Sequence, residues 1–207
     1  MSRGEKIIEL DEQYRKYIDE HVSNVQKVER VVYCILTRTC DKGTVMNAAL
    51  DMAHENVKYH DTSKYGDAEF YAYRKNFYPI DDEEKESNLE DFEKAWEHHY
   101  TSNKHHPEYW IYNNEVKKMD YDAVLEMIYD LSAMSIKFGG NPFEYFNNHF
   151  VKAYRGIVPP TLPSDEYTPI HEESYRLIHA MLYTLMQQPE FVNLFKKEDK
   201  KDEKKNS

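Results

Sequence analysis

Seven of the ten histidines fall between positions 21 and 106, interspersed with carboxylates. His60 and Asp61 are adjacent in the string HDTSK, with Lys64 three residues on. Two further pairs, His98-His99 and His105-His106, stand seven positions apart in the string AWEHHYTSNKHHPEYW. Imidazole and carboxylate together suit divalent Mn, Fe, Co, Ni or Zn, and affinity alone does not select among these metals. An adjacent His and Asp can reach one ion when they sit at a helix end that faces a bundle interior. The same dipeptide also suits a solvated helix terminus with Lys64 near the last carbonyls. Two His-His pairs are harder to explain by packing, since Pro107 biases His106 toward a cap position at a helix entrance, where loop ligands are presented.

Helices must position these groups, because the periodicity is helical and no clean strand alternation is visible. The first helix should run from about Ile7 to Leu36 on a stripe of Tyr14, Ile18, His21, Val25, Val28, Val32 and Ile35. His21 thus falls in the middle of an apolar face, either as a satisfied core imidazole or as a ligand. Further helices are expected over Thr44–His60 and Asp67–Tyr78, with a loop over Asp81–Glu86. Ser87 or Asn88 then caps a helix through His99. Its stripe of Leu89, Phe92, Trp96 and His99 turns His99 inward and leaves His98 at the polar edge.

A short helix opens at Pro107, and Tyr121–Phe138 is a helix stopped by Gly139-Gly140. Asp130 borders its apolar stripe between Met127 and Met134 and needs a partner, because an unpaired buried charge costs several kcal/mol. That partner is either a metal or Lys137, about 10 Å along the helix axis. A seventh helix should run from Asn141-Pro142 to about Tyr154. After the stiff Val158–Pro163 connector, a last helix covers Pro169–Phe195 on a stripe of Tyr175, Ile178, Leu182, Leu185 and Met186. That stripe must bury against the bundle or against a second copy of the chain, so a homodimer is one of two outcomes.

The 207 residues suit one all-α domain. We expect a helical core over 1–158, a connector and C-terminal helix over 159–195, and a disordered charged tail over 196–207, where like charges at i,i+4 oppose helix. Lys plus Arg is 27 and Asp plus Glu is 38, a net charge of -11 without a basic stripe, which argues against a nucleic acid duplex as partner. No apolar run reaches membrane-spanning length and the start lacks a signal-peptide h-region, so the chain reads as cytoplasmic. Cys34, in mid-helix, and Cys40, in a turn, read as structural. With six glycines there is no phosphate-cradling Gly loop, and no GxSxG elbow.

The order His21, His60-Asp61, histidines at 98–106, then Asp130 resembles the metal-binding pattern of the HD-domain superfamily, and HDTSK resembles its HDxGK string with Ser63 in place of Gly. HHPEYW is similar to the helix entrance of the two-metal phosphodiesterase branch, without the Gly-Tyr-Pro signature that follows there. More closely, HD-x-SK, EF, AW, HH, N-x-HH and EYW together are similar to a family of small bacterial and phage proteins of unknown function, over about Glu20 to Phe138.

The resemblance implies an HD-like helical bundle. His21, His60, Asp61 and Asp130 would hold a first ion, and Asp61 would bridge to a second held by His99 and by His105 or His106. It implies a phosphohydrolase acting on a small anionic, nucleotide-like phosphate ester. Asp61 and Lys64 would be its catalytic residues, and Lys64, with Lys104, would neutralise phosphate unless both are ordinary surface charge. Two rivals share the ligands: an HD-fold di-iron oxygenase, and a binding module whose metal only knits the bundle.

Overall fold

The computed structural model describes residues 2–39, 43–159, 162 and 167–196. The chain is all-α. α1 (Arg3–Thr39) is 37 residues long, about 55 Å at 1.5 Å per residue. Every residue of its expected stripe is buried. α2 (Val45–Asn56) starts where the Thr44 side chain accepts from the Asn47 amide, and 3-10 turns follow at Val57–Tyr59 and Thr62–Tyr65. α3 is Phe70–Phe77.

The expected loop over 81–86 is instead α4 (Asp82–Ser87). Asp81 caps it by accepting from the Glu84 amide at 2.8 Å, and three acidic residues in its first turn complement the helix dipole. α5 (Leu89–Ser102) runs three residues beyond the expected stop at His99. Asn88 precedes it but does not cap it, because its side-chain amide donates to Ala72 O at 2.8 Å. Leu89 is exposed, so the inward face of α5 is Ala95 and His99, flanked by Phe92 and Trp96. A 3-10 turn at Pro107–Trp110 leads into a two-residue hairpin, β1 (Ile111–Tyr112) against β2 (Glu115–Val116).

α6 (Tyr121–Phe138) is buried nearly all round and packs against α1 and α2 on one side. It ends at Gly139, whose φ of +82° suits a residue without Cβ. α7 (Pro142–His149) is capped by Asn141, which accepts from the Phe143 and Glu144 amides. It stops five residues short of the expected Tyr154, because Phe150–Ala153 form β3, parallel to β4 (Thr168–His171). That pairing also delays the last long helix, α8, to Glu172–Leu185, and Pro189 opens a separate short turn, α9 (Pro189–Val192).

Ile178, Leu182 and Leu185 of α8 bury within this chain, where α8 packs on α6 and α7. Cys34 is exposed on α1 and not in the core. Cys40, much of the connector and the tail beyond Lys196 lie outside the described residues. No described helix is long and apolar enough to cross a membrane.

Two separate cores result. The larger joins the C-terminal half of α1 (Val25, Val28, Val32) to Leu50, Leu125, Ile128, Phe146 and Ile178. The smaller holds Tyr14 and Ile18 of α1 with Phe70, Tyr73 and Ala95. On α1, His21 falls between Ile18 of one and Val25 of the other, at the seam.

Candidate metal centre

His60 and Asp61 occupy the break between the two 3-10 turns. Asp61 sits in the left-handed region (φ 56°, ψ 17°), which Asp tolerates better than most side chains and which here drives its carboxylate into the seam. The turn closes with the Lys64 amide donating to Asp61 O at 3.0 Å, so Lys64 returns to the same side. Its ammonium lies 2.6 Å from Asp61 Oδ2.

Two groups of ligand-type atoms meet on this carboxylate. On the Oδ2 side, His21 Nε2 is 3.3 Å and His60 Nε2 3.7 Å from Asp61 Oδ2. Asp130 Oδ1 is 3.0 Å from His21 Nε2 and 3.8 Å from His60 Nε2, and the two imidazoles are 3.3 Å apart. On the Oδ1 side, His99 Nε2 is 3.4 Å and His105 Nε2 3.6 Å away. His106 Nε2 joins them at 2.9 Å from His99 Nε2. Ligands on one ion with bonds of about 2.0–2.1 Å lie about 2.9 Å apart at octahedral and about 3.4 Å at tetrahedral angles. The observed separations cover both.

The carboxylates on the far side of the rings agree with this. His60 Nδ1 is 2.8 Å and His105 Nδ1 3.4 Å from Glu126 Oε1, and His99 Nδ1 is 2.9 Å from Glu69 Oε2. A carboxylate on Nδ1 fixes the proton there and presents the Nε2 lone pair inward, as in carboxylate–histidine–metal arrangements. Asp61 Oδ1 and His105 Nε2 are buried without a hydrogen-bond partner, and they face each other at a distance too long for such a bond. Two orphaned acceptors turned toward one point fit a cation between them. These buried His, Asp and Glu groups can therefore hold a metal ion.

Charge is distributed unevenly between the groups. Burial lowers the His21 pKa, but hydrogen bonds to Asp130 and Asp61 outweigh it and push it up to about 9. Burial opposes the charge on Asp61, yet Lys64, His60 and His21 hold its carboxyl well below the usual range. Burial, then His105 and His99, push His106 well below an ordinary imidazole. Glu126 is brought down to about 2, because His105 and His60 overcome its burial.

The structure thus brings together His21, His60, Asp61, His99, His105, His106 and Asp130, with Lys64 beside them. Both His105 and His106 enter the second group. Asp130 turns to His21, while Lys137 pairs with Glu20 and lies over the Tyr17 ring. Lys104 is not brought in: it reaches toward exposed Asp120 at 4.0 Å. His98 lies half-exposed at the polar edge as its stripe requires, yet its Nδ1 is 2.7 Å from Glu69 Oε1.

Sequence reasoning missed two carboxylates. Glu126 could have been found from its place one turn before Asp130, on the same helix face. Glu69 appears in the sequence only as the first letter of the EF string, with no spacing that ties it to His99.

Residues 10–180 match the family model described as a family of unknown function (DUF5662). No curated protein and no solved structure matches the chain.

Proposed function

The chain belongs to the DUF5662 family, and we propose that it is a metal-dependent phosphohydrolase with an HD-like site, acting on a small nucleotide-like phosphate ester. The observation that carries this reading is the division of Asp61. One carboxylate oxygen faces His21 and His60, and the other faces His99 and His105, so Asp61 would serve both groups if each held an ion. When bound, such a pair clamps an anionic phosphoryl group and makes water a nucleophile near neutral pH.

The chain's own residues supply the rest. Asp130 and Lys64, with side chains 20% and 16% accessible, and His106 are the partly exposed members, so solvent and substrate approach from their side. Lys64 rests on Asp61 and has a flexible four-carbon stem. Once the Asp61 charge is otherwise neutralised, its ammonium can turn to a phosphoryl oxygen. Glu126 and Glu69 keep the imidazoles in the orientation that ligation demands.

If Asp61 gave one oxygen to each ion, His21, His60 and Asp130 on one side and His99, His105 and His106 on the other would bring each to four protein atoms. Four would fill a tetrahedral ion and leave room for water on one that accepts six ligands. The hydrolase reading therefore calls for an ion that accepts six ligands. The test is elemental analysis of protein purified with and without oxygen, followed by a panel of phosphomonoesters and of cyclic and linear dinucleotides. Two equivalents of Mn, Fe, Co or Ni with hydrolysis of a panel member is the expected result. Zinc alone with no hydrolysis would reassign the metal to knitting the bundle. A coloured iron pair that consumes oxygen without cleaving phosphate would move the chain to the oxygenase class.

A further inference from the structure

Glu126 occupies a position that no other described carboxylate shares. It lies on α6 between Asp122, which accepts from Asn56 at 3.1 Å, and Asp130, which faces His21. Its Oε1 alone meets both His60 Nδ1, at 2.8 Å, and His105 Nδ1, at 3.4 Å. His60 belongs to the group on Asp61 Oδ2 and His105 to the group on Oδ1. Glu69 provides the contrast, since it touches His99 of the second group and His98, which stands outside both.

The two rings that Glu126 holds are themselves in contact. The His60 and His105 centroids are 4.4 Å apart with planes inclined by 33°. Turning either ring about its Cβ crowds the other and changes its distance to the shared oxygen. Interior packing does not yield gradually, so the pair moves as a unit.

We infer that Glu126 is a positioning residue that couples the two metal positions: one carboxylate oxygen orients one imidazole of each, so that filling either position prepares the other. This rests on the two-ion reading above and adds a regulatory property to it, loading as a linked pair. Linkage makes the coupling reciprocal, so the order of filling does not alter its size.

Cobalt(II) titrated into the full chain tests this, with equilibrium dialysis for stoichiometry and the visible d–d spectrum for the ligand field. The variants are E126A, E126Q and E69Q, each checked by far-UV circular dichroism. Wild type is expected to take two ions. E126A should weaken the first binding step by about 10–100-fold, the usual effect of losing a carboxylate behind a ligating histidine. The second step should weaken by more, because the first ion no longer prepares the second position. E126Q, which keeps an acceptor oxygen but no charge, should fall between E126A and wild type at both steps, and E69Q should weaken one step only.

Wild-type affinities in E126A, or equal losses at the two steps, overturn the coupling while leaving the two-ion reading intact. Should E126A lose its helical spectrum, E126Q decides: a second step weakened more than the first supports the coupling, and equal losses or wild-type steps refute it. A wild-type chain that takes fewer than two ions overturns both together.

Discussion

The two cores on either side of the seam are built differently. The larger is a mainly aliphatic interior in which Val28, Val32, Leu125, Ile128 and Leu182 are wholly buried, with Tyr129, Phe146 and Phe191 among them. The smaller has five buried apolar residues, two of them aromatic hydroxyls, and depends on polar fixtures. Arg74, itself buried, forks onto Glu84 with Nη1–Oε2 at 2.7 Å and Nη2–Oε1 at 3.2 Å. Asn88 ties the start of α5 to the backbone of α3 through Ala72.

Hydrophobic burial is indifferent to pH and ions, whereas paired charges are not. The candidate ligands lie where the first kind of stability gives way to the second. His21 and Asp130 come from the two long helices of the larger core. His99 comes from α5, in the smaller one.

The sharpest way to break this contrast is Asp61→Ala. It removes the oxygen that each ligand group shares and leaves Lys64 without its partner. Most bound metal and any hydrolysis should be lost, as read by elemental analysis and the phosphoester panel. Excess chelator added to wild type should likewise lower Tm, whereas Asp61→Ala should be insensitive to it. Equal chelator sensitivity in the two proteins would detach the site from the stability of the seam.

Ile128→Ala probes the other side. A fully buried Ile cut to Ala costs about 2–5 kcal/mol through lost transfer energy and the cavity left behind. Urea unfolding should give the same loss with and without chelator. A loss that changes when metal is removed would mean that the two cores are not energetically distinct.

Glu84→Gln tests the polar fixtures, at about 2 kcal/mol, discounted from a fully buried pair because Glu84 keeps some exposure. Burial raises the Glu84 pKa, but Arg74 and the Ile80 amide outweigh it and hold the folded value below the ordinary one. The stabilisation is thus complete above the unfolded value of about 4.3 and disappears as pH falls through the folded one. The gap in unfolding free energy between wild type and variant should be constant near neutrality and shrink in acid. A gap that grows in acid would have the wrong sign for this pair.

The smallest effect is expected from ending the chain at Lys196, which removes like charges spaced i,i+4 and no apolar anchor. Tm and metal content should match those of the full chain, and a drop in either would give the tail a role in one of the two cores.

Much of this organisation was legible in the sequence, because helix faces are local. The α1 stripe places His21 inward from the spacing of its own neighbours, and Gly139 ends α6 where the pattern stops. His99 could be turned inward from α5 alone. Local pattern failed where an element depends on a distant one. β3 and β4 exist only as partners, eighteen residues apart, and replace helix that periodicity favoured. α4 was hidden because an acidic run reads as solvated loop until Asp81 is seen to cap it.

The residue types that gather at the seam were thus fixed by composition and by the 3.6-residue period, together with the His60-Asp61 adjacency. Their mutual assignment was decided only by tertiary structure. Nothing in the string indicates that Glu126 meets His60 across 66 residues, that Asp130 turns to His21 and leaves Lys137 to Glu20, or that both His105 and His106 enter one group. The reason is physical. A helix face follows from bonds four residues apart, but a ligand's partner depends on which helices pack together and how far each turns about its axis, and the buried apolar residues of the larger core set both.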